Sequence, residues 1–139
     1  MGKEAGYVRS VNKHLPREVY TESNANPYRG GTPDRYYEGD KDDLRVEFKF
    51  YETLPPVIDL LRCTAKTKPK LSKLQQDWLI RAHRNNRKVA VIVGCPEGGL
   101  ILPGISWAKP FKRETFRLGV QPKKEIAEWI TRAVMRERS

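Results

Sequence analysis

Apolar and charged positions alternate most clearly between residues 43 and 51, where Leu44, Val46, Phe48 and Phe50 alternate with Asp43, Arg45, Glu47, Lys49 and Tyr51. A period of two predicts a strand with one apolar face and one charged face. Residues 34–38 precede it across Gly39-Asp40-Lys41-Asp42, a polar stretch of the kind that closes a hairpin. Residues 17–22 suit a further strand, followed by a turn-rich segment over 23–31. After Leu54-Pro55-Pro56, residues 57–61 fit a short strand or a turn of helix. Ser72 is a good N-cap for a helix that carries Leu74, Trp78, Leu79 and Ala82 on one face and ends near Asn85-Asn86. The continuous apolar run Val89 to Val93 predicts a central strand covered on both faces, and Gly98-Gly99 turns into its neighbour at Leu100–Leu102. Residues 107–119 read as a loop. Pro122 opens a last helix with an apolar stripe of Ile126, Trp129, Ile130, Ala133 and Val134. The order predicts an α/β fold, a central mixed β-sheet flanked by helices.

A length of 139 residues suits one domain, read as residues 17–139 behind a mobile basic N-terminal arm over 1–16. Lys and Arg total 27 against 17 acids, a net charge of +10 that favours a polyanionic partner through phosphate contacts. A merely soluble basic protein would carry the same balance. No window is apolar enough to cross a bilayer, and Met1 to Arg17 lack the centre of a signal peptide, so a cytoplasmic location is expected. Cys63 and Cys95 are far apart and form no CxxC pair, and His14 and His83 have no ligand-like spacing, which sets zinc aside. Gly30-Gly31 is followed by no G-K-[ST], so these glycines read as a tight turn rather than a triphosphate loop.

The charged face of the predicted second hairpin strand carries the candidate chemistry. Glu47 and Lys49 are two positions apart and project from the same face. If the Gly39–Asp42 turn closes with an even number of loop residues, Asp34 lies opposite Glu47. Their Cβ atoms would then be roughly 4.5–5.5 Å apart, and both carboxylates could share one cation. A slip of one residue would send them to opposite faces. Two acids and a lysine in this arrangement suit phosphodiester hydrolysis. Mg²⁺ takes oxygen ligands and keeps several waters, so two carboxylates and the backbone carbonyl of Phe48 suffice. Lys49 would orient the attacking water or stabilise charge in the transition state. On these residues alone, a surface strand whose Glu and Lys are simply solvated is the simpler reading, because E-x-K on a strand is common.

Four segments in order shift that balance. Gly31-Thr32-Pro33-Asp34, Val46-Glu47-Phe48-Lys49, Leu71-Ser72-Lys73-Leu74-Gln75-Gln76-Asp77-Trp78 and Val89-Ala90-Val91-Ile92-Val93 together resemble the VRR-NUC branch of the PD-(D/E)XK nucleases, especially its small stand-alone phage forms. That branch reads G-x-P-D, E-x-K and S-x-x-Q before a helix and a buried strand. The resemblance implies a restriction-endonuclease-like core, Mg²⁺ or Mn²⁺ dependence and endonucleolytic hydrolysis of DNA, selective for branched forms such as Holliday junctions. It assigns metal-ligand roles to Asp34 and Glu47, the catalytic lysine to Lys49 and a place near the active site to Gln75. Ser72-x-x-Gln75 is also a capping box, so Gln75 can serve either purpose or both. The family often adds a Glu on an N-terminal helix, for which Glu18 and Glu22 are the candidates here. If the protein is phage-encoded, its place is the host cytoplasm.

DNA would be held by the basic stretch over 62–73, with Lys66, Lys68, Lys70 and Lys73, continued by Arg81 on the helix. Trp107 and Phe111, beside Lys109, Lys112 and Arg113, are candidates for touching a distorted duplex, whereas Trp78 and Trp129 suit the core. Two coordinated cuts at a junction imply a homodimer, with the last helix as one candidate surface. The competing readings are a site-specific homing or restriction-like endonuclease and a non-catalytic DNA-binding protein on the same fold.

Overall fold

Seven consecutive buried residues, Val89–Cys95, form strand β5, which is covered on both faces. A computed structural model describes residues 2–24, 31–62 and 70–137. Strands β1 (Tyr20–Ser23), β2 (Arg35–Glu38) and β3 (Asp43–Phe50) lie antiparallel on one side of β5, and β6 (Gly98–Pro103) on the other. The five-stranded sheet has the order β1-β2-β3-β5-β6, and its one parallel pair is β3 with β5. Helix α2 (Lys73–Arg84) lies between those two strands in sequence, because a parallel pair needs a crossover.

Alternation along β3 and β5 sends side chains to two separate cores. On one face Leu44, Val46, Phe48 and Ile92 pack with Tyr7 and Val11 of α1 (Lys3–Asn12) and with Ile126, Ile130 and Val134 of α4 (Lys123–Val134). On the other face Val89, Val91 and Val93 pack with Leu79 and Ala82 of α2, Trp107 and Phe116.

Several expectations from the sequence need correction. Residues 1–16 do not form a mobile arm: most of them make α1, which docks through the i, i+4 pair Tyr7 and Val11. Tyr7 fits because β5 has Gly94 at the contact, where a Cβ would collide with its ring. The first strand begins three residues later than its pattern suggests, at Tyr20. Residues 107–119 are not a loop. Part of a 3₁₀ turn (Ser106–Ala108), strand β7 (Phe111–Lys112) and α3 (Arg113–Gly119) occupy them, with β7 paired to β4 (Val57–Ile58). Trp107 is buried in this unit and cannot touch a duplex. Leu74, assigned to the apolar face of α2, is exposed, while Trp78 and Trp129 are half-buried. On the charged face of β3, Glu47 is buried, with Gln75 of α2 against it, while Asp43, Arg45 and Lys49 remain half-buried.

Candidate active site

The register of the β2–β3 hairpin decides which groups meet. Arg35 pairs with Val46, Tyr36 with Arg45 and Tyr37 with Leu44, so Asp34, one residue before β2, comes opposite Glu47. This is the even-loop register. The Asp34 N–H donates to Glu47 Oε1 at 3.2 Å, and the Phe48 N–H approaches Asp34 Oδ2 at 3.4 Å. The preceding turn depends on Gly31, whose φ of 93° lies in the left-handed region and whose missing Cβ admits the carbonyl of Leu74. That contact brings the loop carrying Pro33 and Asp34 against the start of α2.

Helix α2 supplies the next two contacts. The Ser72 hydroxyl accepts from Gln75 N–H at 3.1 Å, and the Gln75 Oε1 accepts from Ser72 N–H at 2.9 Å, closing a capping box. The same amide reaches the strand: its Nε2 donates to Glu47 Oε2 at 3.1 Å. Lys49 Nζ lies 3.4 Å from both Glu47 Oε2 and Gln75 Oε1. Gln75 thus caps the helix and touches the carboxylate at once, and only this amide orientation satisfies both.

Glu47 is 2% exposed and belongs to β3 beneath α2. Burial, reinforced by the neighbouring Asp34 charge and partly offset by Lys49, pushes its carboxyl up to about 8. The Asp34 carboxylate is the neighbouring charge that adds most to this shift. Such a pair either shares a proton or holds a cation. The donors of this pair are hard carboxylate oxygens, which suits Mg²⁺ or Mn²⁺. Among the described residues no group of three or more His, Cys, Asp or Glu stands ready to hold a metal, so solvent would have to complete the coordination of any ion here.

A third acid enters from an unforeseen place. Glu4, on α1, lines a cleft of about 740 Å³ together with Asp34. Burial and the Asp34 charge raise its carboxyl, and Lys49 lowers it. Glu18 and Glu22 are the positions at which the sequence predicts a further acid. Glu18 is exposed before β1, and Glu22 is exposed on the edge strand, where it accepts from the Tyr20 hydroxyl at 2.8 Å. Neither is among the charges acting on Glu47, which come from Asp34 and Lys49. The spacing of Glu4 one turn before Tyr7 and Val8 was the available signal, and reading the segment as an arm concealed it. Arg9 and Lys13 of α1 and Arg35 of β2 also line the cleft, giving it cationic walls leading away from the acids.

Lys66 and Lys68 lie outside the described residues. Lys70 is exposed just before α2, and Lys73 pairs with Asp77 at 2.8 Å in an exposed i, i+4 bridge. Arg81 lies over the Trp78 ring at 5.9 Å, and Arg45 sits over Tyr36 at 4.9 Å and Trp78 at 5.9 Å. Cys95 is buried with a free thiol, and Cys63 lies outside the described residues. No helix among the described residues is long and apolar enough to cross a membrane.

No protein-family model and no curated protein matches the sequence. Among solved structures, the chain is similar to Hjc, a Holliday junction resolvase from the archaeal hyperthermophile Archaeoglobus fulgidus, with a TM-score of 0.58 at 16% identity, covering 91% of this chain and 97% of that one. At that identity the likeness establishes the fold, a mixed five-stranded sheet flanked by helices in the resolvase and restriction-endonuclease-like arrangement.

Proposed function

We propose that this protein is a metal-dependent DNA endonuclease that cleaves branched DNA, four-way junctions foremost, and that it is a small nuclease of the VRR-NUC type found in phages. The observation that carries the reading is the buried Glu47 carboxylate with half-buried Asp34 opposite it and Lys49 beside it, on a fold shared with a Holliday junction resolvase. Asp34, Glu47 and the Phe48 carbonyl would hold Mg²⁺ or Mn²⁺. When bound, that ion supplies Lewis-acid activation of the scissile phosphate and of the attacking water. Lys49 donates hydrogen bonds to the phosphate as charge develops, from a position already screened from solvent. Gln75 keeps the Glu47 carboxylate facing the reacting group. Glu4, which lines the same cleft as Asp34, would accept a proton from the attacking water. The strand leaving the site would follow that cleft past Arg9, Lys13 and Arg35.

Each chain has one such centre and a junction needs two cuts, which favours a two-fold pair of chains. The α4 stripe is not its interface, because Ile126, Ile130 and Val134 are consumed in the core. The test is incubation with four-way, flap, linear and supercoiled DNA, in Mg²⁺ and in chelator. Paired nicks in the four-way junction, only with the metal and lost in Glu47→Ala, are the expected result. Wild-type turnover by Glu47→Ala would overturn the site assignment. Junction binding without cleavage in either Mg²⁺ or Mn²⁺ would leave the non-catalytic DNA-binding reading.

A further inference from the structure

A second cavity lies at the other end of β3. It measures about 460 Å³ and is lined by Leu44, His83, Lys88, Trp129, Arg132 and, among others, Arg87. Leu44 precedes Glu47 by three residues, which places the cavity roughly 10 Å along the strand from the acids. It shares no lining residue with the cleft that holds Glu4 and Asp34. No acid lines it. Its floor is apolar, from Leu44 and Val89, and the half-buried indole of Trp129 forms part of its wall.

Structural duties account for Lys88 but not for the guanidinium groups of Arg87 and Arg132. Helix C-termini attract positive charge, and His83 and Arg132 sit in the last turns of α2 and α4. Those ends are already satisfied, however. Lys88 Nζ donates to the Ala133 carbonyl at 2.9 Å and pairs with Asp42 at 3.2 Å, and Lys41 Nζ donates to the Arg132 carbonyl at 2.9 Å. The backbone N–H groups of Lys41 and Asp42 both reach the Val134 carbonyl, and that of Arg87 reaches Ala82. Among the described residues, the guanidinium groups of Arg87 and Arg132 and the imidazole of His83 make no hydrogen bond or ion pair.

We infer that this cavity is a nucleotide-binding site separate from the acidic centre, taking a phosphate on Arg87 and Arg132 and a base against Trp129. Two free guanidinium groups suit a phosphate, and a flat indole over an apolar floor suits a stacked base. The volume lies within the range of small-ligand sites. A base inside a duplex is stacked and paired, so a strand can offer one only where nucleotides are unpaired, as beside a branch point. A free mononucleotide presents the same chemistry. The inference concerns binding alone, so its failure leaves the proposed cleavage untouched.

The test is made in chelator, where no strand is cut. The probes are dTMP, a fork with an unpaired thymidine arm, and a blunt duplex of the same length. Trp129→Leu should weaken fork binding by about 5- to 150-fold, the range for loss of one base stack, and leave the blunt duplex unaffected. Trp129→Phe should retain most of the affinity. Arg87→Ala with Arg132→Ala should reduce the slope of log K against log salt for the single-stranded arm by about 0.7, for the one phosphate they hold. The Trp129 indole N–H resonance should shift with the fork. A saturable shift with dTMP as well would mark the free nucleotide as a sufficient ligand, and a shift with the fork alone would mean the nucleotide must belong to a strand. An unshifted indole with both probes overturns the inference, as does unchanged fork affinity in the exposed double-Arg variant. Equal weakening of fork and blunt duplex by Trp129→Leu would also overturn it, because the loss would then be independent of an unpaired base.

Discussion

At Glu47 and Phe48 the two faces of β3 are equally hidden and opposite in consequence. Phe48 is 0% exposed against α1 and α4, and its neighbour Glu47 is 2% exposed beneath α2. Removing Phe48 from water stabilises the fold, whereas removing Glu47 destabilises its ionised form. The same covering by helices therefore builds a core on one side and a strained carboxylate on the other. The strain stays local because Gln75, Lys49 and the Asp34 N–H satisfy both Glu47 oxygens.

Substitutions on the two faces should separate stability from chemistry. Phe48→Ala should cost about 3–5 kcal/mol, read as a lowered denaturation midpoint. Glu47→Gln should leave the metal-free midpoint at pH 8 unchanged or raised, because it removes a buried like-charge contact, while cleavage of junction DNA disappears. If Phe48→Ala melts like wild type, or Glu47→Gln melts far below it, the faces are assigned the wrong way round.

A pH series sharpens the same contrast. The Glu47 carboxyl is raised from 4.5 to about 8 in the folded protein. The folded state therefore keeps a proton that the unfolded chain releases, and the stability this supplies is complete below pH 4.5 and declines as pH rises towards 8. Thermal melts of the metal-free protein should fall across that window, and Mg²⁺ should recover the loss at its upper end. Glu47→Gln should flatten the decline. An identical slope in both proteins would remove Glu47 as its source.

The smallest expected effects divide the two duties of Gln75. Ser72→Ala loses the cap alone and should cost about 1 kcal/mol with cleavage retained. Gln75→Ala loses the cap and the carboxylate contact, and should also lower metal affinity by roughly 10- to 100-fold, measurable by titration calorimetry. Equal metal affinity in the two variants would make Gln75 a cap and nothing more.

Much of this site was legible before the fold. The alternation over 43–50 and the polar turn defined the hairpin, and an even loop put Asp34 against Glu47. Ser72 and Gln75 announced their capping box, and Val89 to Val93 announced the buried strand. The α1 helix was not legible, because only Tyr7 and Val11 of its ten residues are buried and its polar composition reads as an arm. Glu4 was hidden with it. Residues 113–119 were equally opaque: Phe116 alone is buried in α3, too sparse a pattern to show periodicity.

The sequence by itself determined the local geometry: strand, turn, cap and the shared face of Glu47 and Lys49. These depend on neighbours two to four positions apart, whose spacing is written in the chain. Only the tertiary structure decided that α2 closes over Glu47, that α1 brings Glu4 towards Asp34, and that Trp129 meets Arg87 and Arg132 around one cavity. Those outcomes depend on which distant element covers a given face, and the shift of a carboxyl to about 8 follows from that covering and from a charge thirteen residues away.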